Sequence, residues 1–250
     1  MSTRPVAIVT GAGRGIGRAI AGALSKAQFD VCAADIDGAA AARVAAELNC
    51  THVACDISDL SAGSRVLSHV IDTFGRVDCP VNNAGIGAVV RGDLLDLTPE
   101  NFDRVISINL RGTLFFTQVV ARWMVEHPAP EVPRSIVAVT SISAALASPE
   151  RTEYCISKAG LAMFLQALAL RLAPTGIGVF DVRPGIIRTD MTAGVSARYD
   201  HMIAEGRVPA GRWGEVDDVA RVVASLASGA VAFSTGSVIE VGGGLGIQRL

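Results

Sequence analysis

Val6-Ala7-Ile8-Val9-Thr10-Gly11-Ala12-Gly13-Arg14-Gly15-Ile16-Gly17 opens as an uncharged apolar run and ends in four glycines within seven residues, with one charge at Arg14. The run suits a strand buried on both faces. Glycines after it let the backbone turn tightly into a helix and approach a pyrophosphate, which sits on the helix N-terminus. No Lys-Ser or Lys-Thr follows Gly17, which excludes the phosphate loop of nucleoside-triphosphate enzymes. The spacing is G-x-x-x-G-x-G rather than G-x-G-x-x-G. Gly11, Arg14, Gly15, Ile16 and Gly17 are therefore candidate dinucleotide contacts.

Outward from this stretch, runs rich in Val, Ile and Ala recur at Val6–Thr10, Asp30–Asp35, 52–55, 77–82, 135–140, 178–182 and 237–241. They lack the polar alternation of half-exposed strands. Helical patterns separate them at 15–27, 39–48, 61–74, 100–126, 153–172 and Val216–Ala227. This alternation predicts an α/β fold, a doubly wound parallel seven-stranded sheet of Rossmann type, in a single domain over residues 1–250. Pro99 after Thr98 marks a helix start. Pro80 has no ladder donor, so the fourth strand is expected to pair only from Val81 onward.

Half of the 250 residues are apolar, 18% are charged, and the formal net charge is −2. That composition supports a packed core, and it carries no basic footprint for nucleic acid or an anionic membrane. Mean hydropathy is positive. The longest uncharged stretch, 222–239, is interrupted by Ser, Thr and Gly and makes a poor membrane span. Arg4 and the short run after it do not read as a signal peptide. Cysteines 32, 50, 55, 79 and 155 sit mostly among apolar residues, so reduced thiols and a cytoplasmic setting are expected. Cys50, His52 and Cys55 have no second ligand pair at zinc-like spacing, and no metal site is expected.

Asp35 closes the second strand, 18 residues after Gly17. A carboxylate there accepts hydrogen bonds from both hydroxyls of an adenine-side ribose and repels a 2′-phosphate, which favours NAD over NADP. Asp37 competes for that role, and Arg14 could meet a 2′-phosphate instead. Tyr154-Cys155-Ile156-Ser157-Lys158 is the sharpest chemical signal. Helical residues at this spacing share a face. An ammonium near a phenol lowers its pKa from about 10 toward neutrality, giving a group that exchanges protons with an alcohol or carbonyl oxygen. The chain holds only two Tyr, and its only lysines are Lys26 and Lys158. Chance rarely produces such a pair.

On these residues the chain resembles the short-chain dehydrogenase/reductase family, in its short single-domain branch, over nearly its whole length. Asp56, followed by Ile57, falls where the family places an Asp near the adenine after the third strand. Asn82-Asn83-Ala84-Gly85 matches the turn after the fourth strand, and Asn109 lies where a helix Asn supports the active site. Ser141, 13 residues before Tyr154, matches the catalytic Ser, with Ser143 as a competitor. Pro184-Gly185-Ile186-Ile187-Arg188-Thr189 matches the segment that flanks the nicotinamide. Gly242 and Val216 depart from the Asp and Pro often found there.

The resemblance implies hydride transfer, with Tyr154 as general acid or base. Lys158 would lower its pKa and hold the nicotinamide ribose. Ser141 would bond the substrate oxygen, and Asn109 would position a water linking Lys158 to solvent. Asn83, Ala84, Gly85, Pro184, Gly185, Ile187 and Thr189 are the further cofactor contacts it implies, together with a homotetramer. Apolar residues around 113–120 and 159–170 suit burial against another chain.

Three functions are weighed. The first is an NAD-dependent dehydrogenase of a secondary alcohol, a polyol or sugar, in keeping with Asp35 and the polar segment 192–207 that holds Asp200, His201 and Glu205. The second is an NADPH-dependent 3-oxoacyl-thioester (acyl-carrier-protein) reductase, which the stretch 148–158 resembles. It needs a basic docking surface, for which Arg122, Arg134 and Arg151 are candidates. The third is a dinucleotide-sensing protein without turnover. That reading expects a damaged Tyr, Lys or Ser, and all three are present.

Overall fold

The strands β1 (Val6–Thr10), β2 (Asp30–Asp35), β3 (Thr51–Ala54), β4 (Cys79–Asn82), β5 (Ser135–Val139), β6 (Gly178–Pro184) and β7 (Val238–Val241) form one sheet in the order β3-β2-β1-β4-β5-β6-β7. Every neighbouring pair is parallel. The computed structural model describes residues 4–248, so the ends of the expected domain, 1–3 and 249–250, lie outside the described residues. Successive strand side chains point to opposite faces, which explains the missing polar alternation. Ala7 and Val9 pack on one side of the sheet, and Val6 and Ile8 on the other.

Helices cover both faces. On the first, α1 (Gly15–Lys26) buries Ile20, Ala21 and Leu24 beside α9 (Val216–Ala227), which contributes Val219, Ala220 and Val223. α2 (Gly38–Leu48) adds Val44 to the same side. On the second, α3 (Ala62–Phe74), α5 (Thr113–Glu126) and α6 (Thr152–Leu172) bury Val66, Val70, Val120, Met124, Leu165 and Ala169. These positions recur at three- and four-residue spacing, and each fully buried Val or Leu is worth about 1.5–3 kcal/mol.

Two sequence expectations need correction. The helix expected at 100–126 is three elements: α4 (Pro99–Ile106), a π-helical turn (Ser107–Gly112) and α5. Thr98 caps α4 by accepting from the Asn101 N–H, as Pro99 suggested. Pro80 does pair with Ile8 of β1, and only the β5 side of β4 begins at Val81. Its missing donor therefore affects one ladder. The polar segment after Thr189 holds α7 (Asp190–Ala193) and α8 (Ser196–Ala204). Among the described residues, Pro149–Thr175 is long and apolar enough to cross a membrane by length and composition alone, and 222–239 is not, as expected. Pro149–Thr175 contains α6, which packs on β6 and on the π-helical turn.

All five cysteines are free. Burial pushes the Cys32 and Cys79 thiols up to about 12 and Cys55 to about 11. One buried charge cluster pins the start of the sheet. The carboxylate of Asp78, 1% exposed, accepts from the Val6 N–H and from Arg76, and the buried Arg134 guanidinium lies 3.7 Å away. Removing one member of such a cluster strands the others. Asp78→Ala is expected to cost about 3–5 kcal/mol, read as a fall in C_m on urea unfolding. A loss under about 1 kcal/mol, the size of a surface pair, would contradict this.

Candidate active site

β1 and β4 lie side by side where the chain order of the sheet reverses, which is where open α/β sheets bind ligands. The two loops leaving them are tied together. Thr10 Oγ1 donates to the Val81 carbonyl and accepts from the Asn83 and Ala84 N–H groups at 3.1 Å. The Asn83 side chain donates back to the Thr10 and Gly11 carbonyls at 3.0 and 3.1 Å. Gly17 is required beneath this clasp, because a Cβ there would lie 2.0 Å from the Gly11 oxygen and 2.5 Å from Asn83 Nδ2.

The residues fit a dinucleotide. Gly15 has φ +54, and a Cβ on it would meet only Thr189 Cγ2, at 3.9 Å, so the loop is open on that side. The first turn of α1 has no side-chain cap and no acidic residue, which leaves its N–H groups to an anion such as pyrophosphate. Asp35 Oδ2 accepts from the Gly13 N–H at 2.8 Å, and Oδ1 accepts from the Asp37 N–H at 2.9 Å. The Asp35 carboxylate is thus held over the glycine loop with lone pairs remaining for ribose hydroxyls. Asp37 instead caps α2 through the Ala40 N–H. Arg14 is exposed and turned the other way, 3.9 Å from Asp190. Asp56 commits Oδ1 to Ser58, and Ile57 beside it is buried. Pro184 ends β6, Gly185 packs on Gly242, Ile187 bridges to Gly214, and Thr189 caps α7. Ala84 and Gly85 continue the turn beyond the clasp.

Ser141, Tyr154, Lys158 and Asn109 converge at the C-terminal end of β5. Ser141 precedes a short 3-10 turn and accepts from the Ser143 N–H at 3.0 Å. It is Ser141 that hydrogen-bonds the Tyr154 hydroxyl. The Ser143 hydroxyl instead accepts from Arg151 Nη2 at 2.9 Å. Lys158, 5% exposed, donates from Nζ to the Val139 carbonyl at 3.1 Å. Asn109 is fully buried. Its Oδ1 accepts from the Ile86 N–H at 2.8 Å, and Nδ2 donates to the Ile86 carbonyl and to Ser157 Oγ. Both amide donors are therefore committed, and the side chain acts as a strut between the β4 loop and α6.

The electrostatics revise one expectation. Burial holds the Tyr154 phenol above its usual value, with the Ser141 hydroxyl and the Arg151 guanidinium partly offsetting it. The Lys158 Nζ stands 5.8 Å from the Tyr154 ring centroid and is anchored on the Val139 carbonyl. Burial also pushes the Lys158 ammonium down to about 8, partly opposed by Asp181. The basic docking trio is not a surface either. Arg134 is buried against Asp78 and donates to the Met124, Val77 and His127 carbonyls. Arg122 is exposed on α5, and Arg151 lies at Tyr154.

Sequence reasoning missed three features. Arg151 stacks over the Tyr154 ring, 5.2 Å from its centroid. Glu150 and Arg198 form an ion pair joining the start of α6 to α8. The π-helical turn carries Asn109, and Gly112 inside an otherwise helical pattern was the available signal for it. A Cβ on Gly112 would lie 2.2 Å from the Ile57 oxygen.

A doubly wound sheet with this glycine loop and this Ser, Tyr and Lys set defines a nicotinamide-dependent oxidoreductase class. The chain belongs to the short-chain dehydrogenase/reductase family. The profile of the family described as Enoyl-(Acyl carrier protein) reductase matches residues 11–246. The chain is similar to the L-rhamnose 1-dehydrogenase (NAD(P)(+)) of Azotobacter vinelandii, 36% identical over 248 residues and covering 95% of each chain. It is also similar to the 3-oxoacyl-[acyl-carrier-protein] reductase of Thermotoga maritima, 34% identical over 253 residues, covering 96% of this chain and 97% of that one. Among solved structures, a 3-oxoacyl-[acyl-carrier protein] reductase from Brucella melitensis in complex with NAD gives a TM-score of 0.95 at 51% identity, with 100% of both chains covered.

The Lys158 shift has a measurable sign. Below pH 8 the lysine is charged in both the folded and unfolded states, and its burial penalty is constant. Between its folded value of about 8 and its ordinary 10.5, only the unfolded state stays protonated, so stability rises with pH. Relative to Lys158→Met, the wild type is expected to gain roughly 3 kcal/mol across that window. Denaturant titrations of both proteins at several pH values check this. A difference that stays flat contradicts it.

Proposed function

We propose that the chain is a single catalytic domain that transfers a hydride between NAD and a small secondary alcohol or ketone of the polyol or sugar type. The observation that carries the cofactor choice is the Asp35 carboxylate, fixed by the Gly13 and Asp37 N–H groups while Arg14 faces Asp190. A 2′-phosphate would meet a carboxylate at that place and no cation. The NAD and NAD(P)(+) in the names of the Brucella and Azotobacter relatives agree with this.

The bound nicotinamide supplies or accepts the hydride. Gly11, Gly15, Ile16 and Gly17 hold the pyrophosphate, Asp35 the ribose, and Asp56 with Ile57 the adenine. Asn83, Ala84, Gly85, Pro184, Gly185, Ile187 and Thr189 border the nicotinamide half. Tyr154 exchanges the proton at the substrate oxygen, and Ser141 donates to that oxygen as charge develops. Lys158 presents its ammonium to the nicotinamide ribose, and Asn109 keeps the β4 loop against α6.

A thioester reductase is the second reading. It is supported by the name of the Brucella relative and by exposed apolar residues Val89, Val90, Leu94 and Leu95 after β4. The burial of Arg134 weighs against it. Free, buried thiols suit a cytoplasmic setting. Exposed Phe115, Met163 and Leu170 on α5 and α6, with Phe233 and Val238 at the β7 edge, suit a homotetramer.

Tyr154→Phe is expected to cut turnover by about 10²–10⁴-fold with NADH binding retained by fluorescence titration. Near-normal turnover would refute the assignment. Asp35→Ala is expected to narrow the preference for NADH over NADPH in the same titration. A wild type that binds NADPH more tightly would overturn the cofactor choice.

A further inference from the structure

Arg151 is poorly explained as a structural residue. It occupies the N-cap of α6, where its side chain makes no cap bond. Short polar side chains are preferred at that position, and a cation opposes the helix dipole. Among the described residues no carboxylate forms an ion pair with it, because the neighbouring Glu150 is taken by Arg198. The guanidinium instead lies over the Tyr154 ring at 5.2 Å and donates through Nη2 to Ser143 Oγ at 2.9 Å. Ser143 follows Ser141 by two residues, so the half-buried cation stands beside the two hydroxyls that face the reacting oxygen. Its remaining N–H donors have no protein acceptor among the hydrogen bonds of the described residues.

A guanidinium fixed between a ring and a hydroxyl, with its fork open, matches a planar carboxylate. A dianionic phosphate ester calls for more positive charge, and Arg198 is already committed to Glu150.

We propose that Arg151, with Ser143 fixing its orientation, is the substrate's anion contact, and that the enzyme takes a small hydroxy acid. This inference rests on the dehydrogenase reading above and shifts its substrate from a neutral polyol or sugar to a hydroxy acid. It makes Arg151 a specificity-determining residue, distinct from the proton-transfer set.

The test compares matched alcohols with NAD: 3-hydroxybutyrate against 3-hydroxybutyramide, gluconate against glucitol, and glycerol 3-phosphate as the phosphate arm. The wild type is expected to favour each carboxylate over its neutral partner by about 10–100-fold in kcat/KM, the worth of one charge-assisted hydrogen bond. Arg151→Gln is expected to erase that ratio mainly through KM, and Arg151→Lys to keep part of it. Equal losses on acid and amide, with a shifted pH profile of kcat, would mean that Arg151 acts only through Tyr154 and would overturn the proposal while leaving the dehydrogenase reading intact. Preference for the phosphate ester would also overturn it. Independently of turnover, 3-hydroxybutyrate is expected to raise the Tm of the wild-type NADH complex and not that of Arg151→Gln. No shift in the wild type defeats the proposal. Failure of every alcohol to react with either dinucleotide defeats the dehydrogenase reading instead.

Discussion

The clasp between Thr10 and Asn83 is the constraint on which the site depends. Strands β1 and β4 are neighbours in the sheet but are separated in the chain by two strands and three helices. Their outgoing loops have no reason to stay in register unless something joins them. Thr10 Oγ1 uses its donor and its acceptor capacity on backbone groups of the β4 loop, and the Asn83 amide answers on the β1 loop. Each bond contributes only about 0.5–1.5 kcal/mol net. Together they pair backbone groups that the end of a sheet leaves without ladder partners. The glycine loop, the start of α1 and the turn to Gly85 are then positioned as one body.

Burial, more than pairing, sets the charges around the reacting residues. It favours the neutral forms of both the Tyr154 phenol and the Lys158 amine. At the phenol, Ser141 and Arg151 work against this. Lys158 is held instead by a backbone carbonyl on β5, with Asp181 acting from the neighbouring strand. Asp181 is itself held by Thr140 and Arg183. The sheet therefore orients the lysine, and the loop after it orients the serine and the arginine.

Much of this was legible in the residues. Buried parallel strands announce themselves as short Val- and Ala-rich runs, and all seven are found within two residues of their expected ends. Gly11 to Gly17, Asp35 and the Tyr154–Lys158 spacing marked the cofactor side because those features are local. What was not legible depends on tertiary contact. Arg134 looked like a surface arginine until Asp78, far away in sequence, drew it inside. Ser141 and Ser143 are told apart only by what Arg151 does with the second. The break in the helix at 107–112 left only Gly112 as a local mark.

That π-helical turn has a consequence for how such chains can vary over time. A π turn holds a surplus residue relative to regular α-helix. Losing one residue there would restore an unbroken helix from α4 into α5, and it would rotate one side against the other by about 100°. Asn109 would leave Ile86 and Ser157, and Gly112 would leave the Ile57 carbonyl it packs against. Substitutions can be tried one at a time along this helix, but its length near Asn109 cannot drift by single steps. Insertions and deletions in descendants of this sequence are pushed outward, to surface segments such as the one after β4.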